Sequence, residues 1–263
     1  MLHIHIGARD RDVERIVADA AQALNRDGFA ILEGVATSEE IAEIRTAVNA
    51  VRTVPGITTR ELGERGGAPQ IIEVEDVLEL SPGLRNCGFF ARAKAISAKL
   101  LRGPVVRYYD HVIFKPPMNM KETAWHQDAV YHRPVTFHSR RLHWWLPLHD
   151  VDEDQSCMRF VPGTHLAPIA KHCPVGPTSD ALRTQLPEGA TVISCPLKEG
   201  SATVHLPNTL HSTGPNNSDR PRTAFIVQYA ARTYLPRWGR FTPGSHRKRK
   251  APDLVPESSC PAN

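Results

Sequence analysis

The apolar positions change rhythm along the chain. In the first third they recur every three or four residues. Val13, Ile16, Val17, Ala20 and Leu24 mark one face of a helix, and Gly28 supplies its stop signal. Residues 29–35 then read as a short strand. Thr37 and Glu40 have the spacing of a capping box, opening a second helix that carries Ile41, Ile44 and Val48. Residues 55–69, rich in Gly, Pro and charge, read as a loop. Residues 89–101 read as a third helix, ended by Gly103 and Pro104. After that the texture is different. Short runs of β-branched and aromatic residues fall at 105–114, 143–148, 191–194, 202–206 and 223–229. Turn signals such as Pro116-Pro117, Pro162-Gly163, Glu199-Gly200 and Asn216-Asn217 separate them. Helices first and many short strands afterwards predict an α+β, mainly β chain with a closed or double-sheet core.

Composition bounds this picture. A chain of 263 residues with 41% hydrophobic and 23% charged residues fits one barrel-containing globular domain. No apolar run approaches a membrane span, and the N-terminus lacks the basic-then-apolar pattern of a signal peptide. Five cysteines, odd in number and without a CxxC pair, are expected to be reduced, which places the chain in the cytoplasm. The formal charge of +4 is mild. Part of it comes from Arg247-Lys248-Arg249-Lys250, in a stretch with four prolines and little apolar content. We expect one domain over 1–239 and a disordered basic, Pro-rich tail over 240–263. That tail is expected to be solvated rather than to bind nucleic acid.

The candidate chemistry sits in Trp125-His126-Gln127-Asp128. His126 and Asp128, two apart on a strand, can reach one metal together. With a third histidine brought alongside by the fold, they form the two-histidine, one-carboxylate set suited to non-haem Fe(II). Three ligands on one face leave positions for a chelating cosubstrate and dioxygen. His211 competes for the third place with His205, His149 and His165. Arg222 competes with Arg220 as the anchor for a far carboxylate, since a guanidinium matches a carboxylate bidentately. The plainer reading of each is a buried structural histidine or a solvated arginine.

The chain resembles the phytanoyl-CoA dioxygenase family of Fe(II)/2-oxoglutarate oxygenases from about Leu24 to Arg232. The resemblance rests on an ordered set of blocks: Asp27-Gly28-Phe29, Phe114-Lys115-Pro116-Pro117, His126-Gln127-Asp128, Phe160-Val161-Pro162-Gly163-Thr164-His165 and His211-Ser212-Thr213-Gly214-Pro215-Asn216, closed by Arg222. It implies a double-stranded β-helix (jelly roll, cupin-like) with helices on one outer face. It implies Fe(II) held by His126, Asp128 and His211, and 2-oxoglutarate anchored by Arg222 with Thr213. It further implies cosubstrate contacts from Trp144, Gln127 and His111. Lys115 is expected to be a surface charge at a strand end, and His165 to have a turn role. Tyr131 and His132 are expected at the mouth of the site. Halogenating relatives replace the carboxylate at position 128 with a small residue, so Asp128 favours hydroxylation or a related oxidation.

The implied function is a dioxygenase using Fe(II), 2-oxoglutarate and dioxygen on a small organic molecule, with a lean toward secondary-metabolite tailoring. An acyl-CoA hydroxylase is the alternative within the family. A Zn hydrolase on the same fold would need no dicarboxylate anchor, and a metal-free binding module would not need all three ligands. No membrane partner is expected, and the oligomeric state stays open.

Overall fold

A computed structural model of the chain describes residues 3–5, 10–53, 59–61, 71–131, 140–176 and 181–232. The tail expected over 240–263, and His132, lie outside the described residues. The strands are β1 (His3–His5), β2 (Phe29–Glu33), β3 (Thr59–Glu61), β4 (Ile72–Glu75), β5 (Val105–Lys115), β6 (Thr123–His126) and β7 (Arg141–Pro147). They continue with β8 (Met158–Phe160), β9 (Cys173–Pro174), β10 (Leu182–Arg183), β11 (Ile193–Cys195), β12 (Ala202–His205), β13 (His211–Thr213) and β14 (Arg222–Ala231). The helices are α1 (Asp10–Asp27), α2 (Ser38–Arg52), α3 (Val77–Leu80) and α4 (Gly88–Leu100).

Two sheets face each other, as the double-stranded β-helix requires. The larger has the order β1-β2-β12-β7-β14-β5-β4-β3, and the smaller the order β11-β8-β13-β6. β1 pairs with β2 in parallel, and the other described pairings are antiparallel. Strand alternation sorts the side chains of the large sheet into two cores. Leu32, Val112, Leu142, Trp144, Leu146, Phe225 and Val227 face outward and pack with Ile16, Ile41, Ile44 and Phe89 of the helices. Phe29, Ile31, Trp145, Ala224 and Ile226 face inward, against Met158, Phe160 and Cys195 of the small sheet. The helices therefore cover one face, and the other is left for the space between the sheets.

The helix signals in the sequence are made good locally. The Thr37 side chain accepts from Glu40 N, and the Glu40 carboxylate accepts from Thr37 N, so both halves of the capping box are present. Gly28 follows α1 at φ +86°, where a side chain would be strained. A Cβ there would also meet Thr209 Oγ1 at 2.5 Å and His165 Nδ1 at 2.6 Å, so the glycine admits the turn that carries His165.

Two expectations change. Within 55–69, read as a loop, Thr59–Glu61 forms β3 and pairs with β4, and the remainder of that stretch lies outside the described residues. A three-residue edge strand is too short to leave a periodic trace in a sequence. Cys173 is disulfide-bonded, whereas Cys87, Cys157 and Cys195 are free and buried. An odd count without CxxC argues against a disulfide framework, but it does not forbid one isolated bond. None of the described helices is long and apolar enough to cross a membrane.

Candidate active site

The space between the sheets opens into a cavity of about 410 Å³, a size ordinary for small-molecule sites. His126, Asp128, His211, Thr213, Arg222 and His111 all line it. His126 ends β6 and His211 opens β13, and the two are register partners in the small sheet. Asp128 does not share the strand of His126, as the i, i+2 spacing suggested. β6 ends at His126, and Asp128 begins a single 3-10 turn, Asp128–Tyr131. The chain leaves the ladder at Gln127, whose N–H donates to His172 Nε2, and two residues on the Ala129 amide donates to Pro207 O.

One ligand atom from each of His126, Asp128 and His211 lies within 4.8 Å of the others. The tautomers follow from the partners. His126 Nδ1 is 2.8 Å from Ala124 O, and His211 Nδ1 is 2.8 Å from Thr209 O. A carbonyl only accepts, so both Nδ1 atoms carry the proton and both Nε2 lone pairs are free toward Asp128. His126 Nε2 stands 3.4 Å from Asp128 Oδ1, and His211 Nε2 stands 3.6 Å from Oδ2. These separations exceed an ordinary N–H···O distance and suit atoms that share a cation. Burial works to raise the Asp128 carboxyl, but His211, His143 and His126 together hold it well below the usual carboxylate range. Burial, and then the charge of His126, pushes His211 well below the ordinary histidine value. An ionised carboxylate and a neutral His211 imidazole are forms that bind metal, while for His126 burial is outweighed by the Asp128 carboxylate, which raises it.

Two more histidines meet the same carboxylate. His143 Nδ1 lies 2.6 Å from Asp128 Oδ2, and His205 Nε2 lies 3.1 Å from it. His205, one rival for the third ligand place, thus supports Asp128 from behind. Of the other rivals, His149 Nε2 accepts from Thr223 N, and His165 sits in the 3-10 turn Thr164–Leu166 near Asn25 O. Strand alternation places His143 on the same face as Trp145, which is the signal that could have found it.

Arg222 and Lys115 form the second part of the site. They are cross-strand partners at one end of β14 and β5, and both are almost fully buried. Lys115 is therefore not the surface charge expected of it. Its Nζ donates to Gly214 O at 2.6 Å, to Thr213 Oγ1 at 2.9 Å and to Ser156 Oγ at 3.0 Å. Arg222 Nη2 is 3.4 Å from both the Thr213 and Ser156 hydroxyls, while its Nε and Nη1 have no partner. Neither cation makes an ion pair among the described residues. Burial pushes the Arg222 guanidinium down to about 9, which leaves it cationic at neutral pH. Burial, and then the neighbouring Arg222, pushes Lys115 well below its usual value. A buried guanidinium with Nε and Nη1 unpartnered among the described residues suits an anion. Arg220 is exposed and donates to Gln155 Oε1.

The remaining expected contacts divide. His111 lines the cavity and pairs with the Glu73 carboxylate. Trp144 points the other way: it is fully buried in the helix-side core, edge-on to Phe89, with its indole N–H on Ser97 Oγ at 2.8 Å. Its neighbour Trp145 lines the cavity, and the Arg222 guanidinium lies 5.6 Å from its ring centre. Gln127 is buried behind the site, donating to Asn208 O and accepting from Ala170 N, so it braces loops and does not line the cavity. Tyr131 does line it, and its hydroxyl accepts from Leu182 N.

The model of the family described as phytanoyl-CoA dioxygenase (PhyH) matches residues 24–224. An ectoine dioxygenase of Bordetella bronchiseptica is 27% identical over 236 residues, covering 82% of this chain and 76% of that protein. The crystal structure of EvdO2 from Micromonospora carbonacea var. aurantiaca, complexed with 2-oxoglutarate, superposes with a TM-score of 0.70 at 28% identity. It covers 86% of this chain and 92% of that one. The epimerase SnoN, in complex with Fe3+, alpha ketoglutarate and nogalamycin RO, gives a TM-score of 0.69 at 25% identity, covering 83% and 84%.

Proposed function

The chain belongs to the phytanoyl-CoA dioxygenase family, is an iron- and 2-oxoglutarate-dependent dioxygenase acting on a small organic molecule, and we propose that His126, Asp128 and His211 hold its iron. Arg222, helped by the Thr213 hydroxyl, holds the far carboxylate of 2-oxoglutarate. The observation that carries this reading is the pairing of two features in one cavity. A three-ligand set has its lone pairs turned inward, and a buried guanidinium has Nε and Nη1 idle.

The bound iron supplies activation of dioxygen, coupled to oxidation of the 2-oxo acid. The chain's own residues do the rest. The backbone carbonyls of Ala124 and Thr209 fix both imidazoles with Nε2 facing the metal position. Lys115 donates to Thr213 Oγ1, so that hydroxyl keeps its own proton to offer an anion. The Trp145 ring flanks the guanidinium, and Met158 and Ile226 give the cavity apolar walls that exclude water beside it. Glu73 and His111 give the wall a polar side where a substrate hydroxyl or amine can be held. The substrate we favour is a secondary metabolite undergoing hydroxylation, desaturation or ring closure. The support is the likeness to the epimerase SnoN, whose structure holds nogalamycin RO, at 25% identity and a TM-score of 0.69.

The test is release of succinate from 2-oxoglutarate, followed across a library of small natural products with Fe(II) and dioxygen. We expect Fe(II)-dependent succinate release that rises with one class of substrate. If 2-oxoglutarate failed to bind to the Fe(II)-loaded protein, the assignment of Arg222 would fall, and a hydrolytic use of the metal set would replace it.

A further inference from the structure

Asp128 is held by more donors than a metal-ligating carboxylate needs from its metal partners alone. Its Oδ2 receives two hydrogen bonds, from His143 Nδ1 at 2.6 Å and His205 Nε2 at 3.1 Å. The two donors come from neighbouring strands, β7 and β12, where His143 and His205 are register partners. Their rings tilt against each other with centroids 5.2 Å apart. Both side chains are almost completely buried, and His205 packs further against Phe160 and His211. A carboxylate accepts only, so each histidine must present an N–H to it: the Nδ1–H form of His143 and the Nε2–H form of His205.

We propose that His143 and His205 are positioning residues that fix the Asp128 carboxylate by its Oδ2, so that the carboxylate faces the metal position between His126 and His211. The inference rests on the reading of His126, Asp128 and His211 as the metal set. It explains a feature that reading leaves over. Asp128 sits on a 3-10 turn, not on a strand, so the backbone ladder does not set its orientation. The large sheet does so instead, through direct contact from His143 and His205. The arrangement joins the two sheets through one carboxylate: His126 and His211 reach it from the small sheet, and His143 and His205 from the large one. Hydrogen-bond partners of metal ligands commonly change metal affinity by about 10–100-fold when removed.

The geometry dictates which replacements should preserve the function. An Asn side chain can place its amide near the position of a histidine Nδ1, and a Gln near that of Nε2. His143→Asn and His205→Gln should therefore keep a donor on Oδ2, while His143→Phe and His205→Phe remove it at similar volume. The experiment is an anaerobic titration of each purified protein with Co(II), read by its visible absorption and by calorimetry, beside circular dichroism for folding. Asp128→Ala serves as the control. We expect each Phe variant to bind Co(II) about 10–100-fold more weakly with an altered visible spectrum, and the Asn and Gln variants to return toward wild type. Phe variants that fold and bind Co(II) with wild-type affinity and spectrum would overturn the proposal. So would Asn and Gln variants as impaired as the Phe ones, which would mark the histidines as packing only. His205→Phe and His205→Gln decide the matter should the His143 variants fail to fold. Undiminished Co(II) binding by Asp128→Ala would instead remove the metal assignment itself.

Discussion

His126 and His211 are direct register partners across β6 and β13, with ring centroids 4.2 Å apart. Pairing of this kind makes two of the proposed ligands a property of the sheet, while Asp128 arrives from a turn. Replacing His126 or Asp128 by Ala should therefore remove a ligand without removing core. We expect loss of Fe(II) binding and of succinate formation with an unchanged circular dichroism spectrum. Normal succinate formation by either folded variant would discard the assignment.

Arg222→Gln should weaken 2-oxoglutarate and spare the metal. Truncating a buried, charge-assisted anchor costs about 2–5 kcal/mol, or roughly thirtyfold or more in affinity. The exposed Arg220 should change little on conversion to Gln, within about 0.5 kcal/mol. Steady-state kinetics and Fe(II) titration of both variants check this. An unchanged Michaelis constant for 2-oxoglutarate in Arg222→Gln is the outcome that counts against the anchor.

The adjacent tryptophans should separate cleanly. Trp144→Ala empties a site among Phe89, Ser97 and the outward face of β7, at about 3–5 kcal/mol of stability. Trp145→Leu borders Arg222 and should raise the Michaelis constant for 2-oxoglutarate with a smaller loss of stability. Urea melts and kinetics on the pair would show the reverse pattern if the strand alternation were misassigned.

Stability without cosubstrate should rise with pH above neutrality. Lys115 holds its proton less tightly folded than unfolded, because burial and Arg222 both oppose the charge. Protonation thus favours the unfolded chain. The contribution is full above the unfolded value, about 10.4, and is lost as pH falls toward the lowered folded one. A higher melting midpoint at pH 9 than at pH 7 is expected. Lys115→Met, if it folds, should lose part of that slope. An equal slope in wild type and Lys115→Met would assign it elsewhere.

Cys87, Cys157 and Cys195 should resist modification in the native state. Burial pushes the Cys87 and Cys157 thiols up to about 11, and Cys195 higher still. Peptide mapping after brief labelling with a thiol reagent should find these three unlabelled until denaturant is added. Rapid native labelling of Cys157 would contradict its place between the sheets.

What the sequence revealed depended on how local each signal was. The capping box of Thr37 and Glu40 and the helix after it are legible because every determinant lies within one turn. Long strands such as β5 and β14 are legible from their β-branched runs. The candidate triad of His126, Asp128 and His211 is legible from residue type and order, and the fold brings the three together. The orientation of Trp144 was not, because a resemblance aligns positions without fixing which face each side chain takes. Gln127 was misplaced for a related reason. The chain leaves β6 at that residue and turns its amide toward the loops at Asn208 and Ala170. Lys115 was misjudged because a lysine beside two prolines looks like a strand end facing water. Only the pairing with Arg222 buries it. His143 and His205 were missed as a pair because they are brought together by β7–β12 register, a long-range property with no local trace.

Arg222 and Lys115 lie enclosed by protein side by side, and among the described residues no carboxylate is paired to either. On the reading of Arg222 as the anchor, the 2-oxo acid dianion supplies the opposite charge. A ligand that binds only the folded form shifts the folding equilibrium by about 2.7 kcal/mol at a hundredfold excess over its dissociation constant. If Arg222 anchors the 2-oxo acid, its supply sets both the turnover of each molecule and the share of molecules that stay folded.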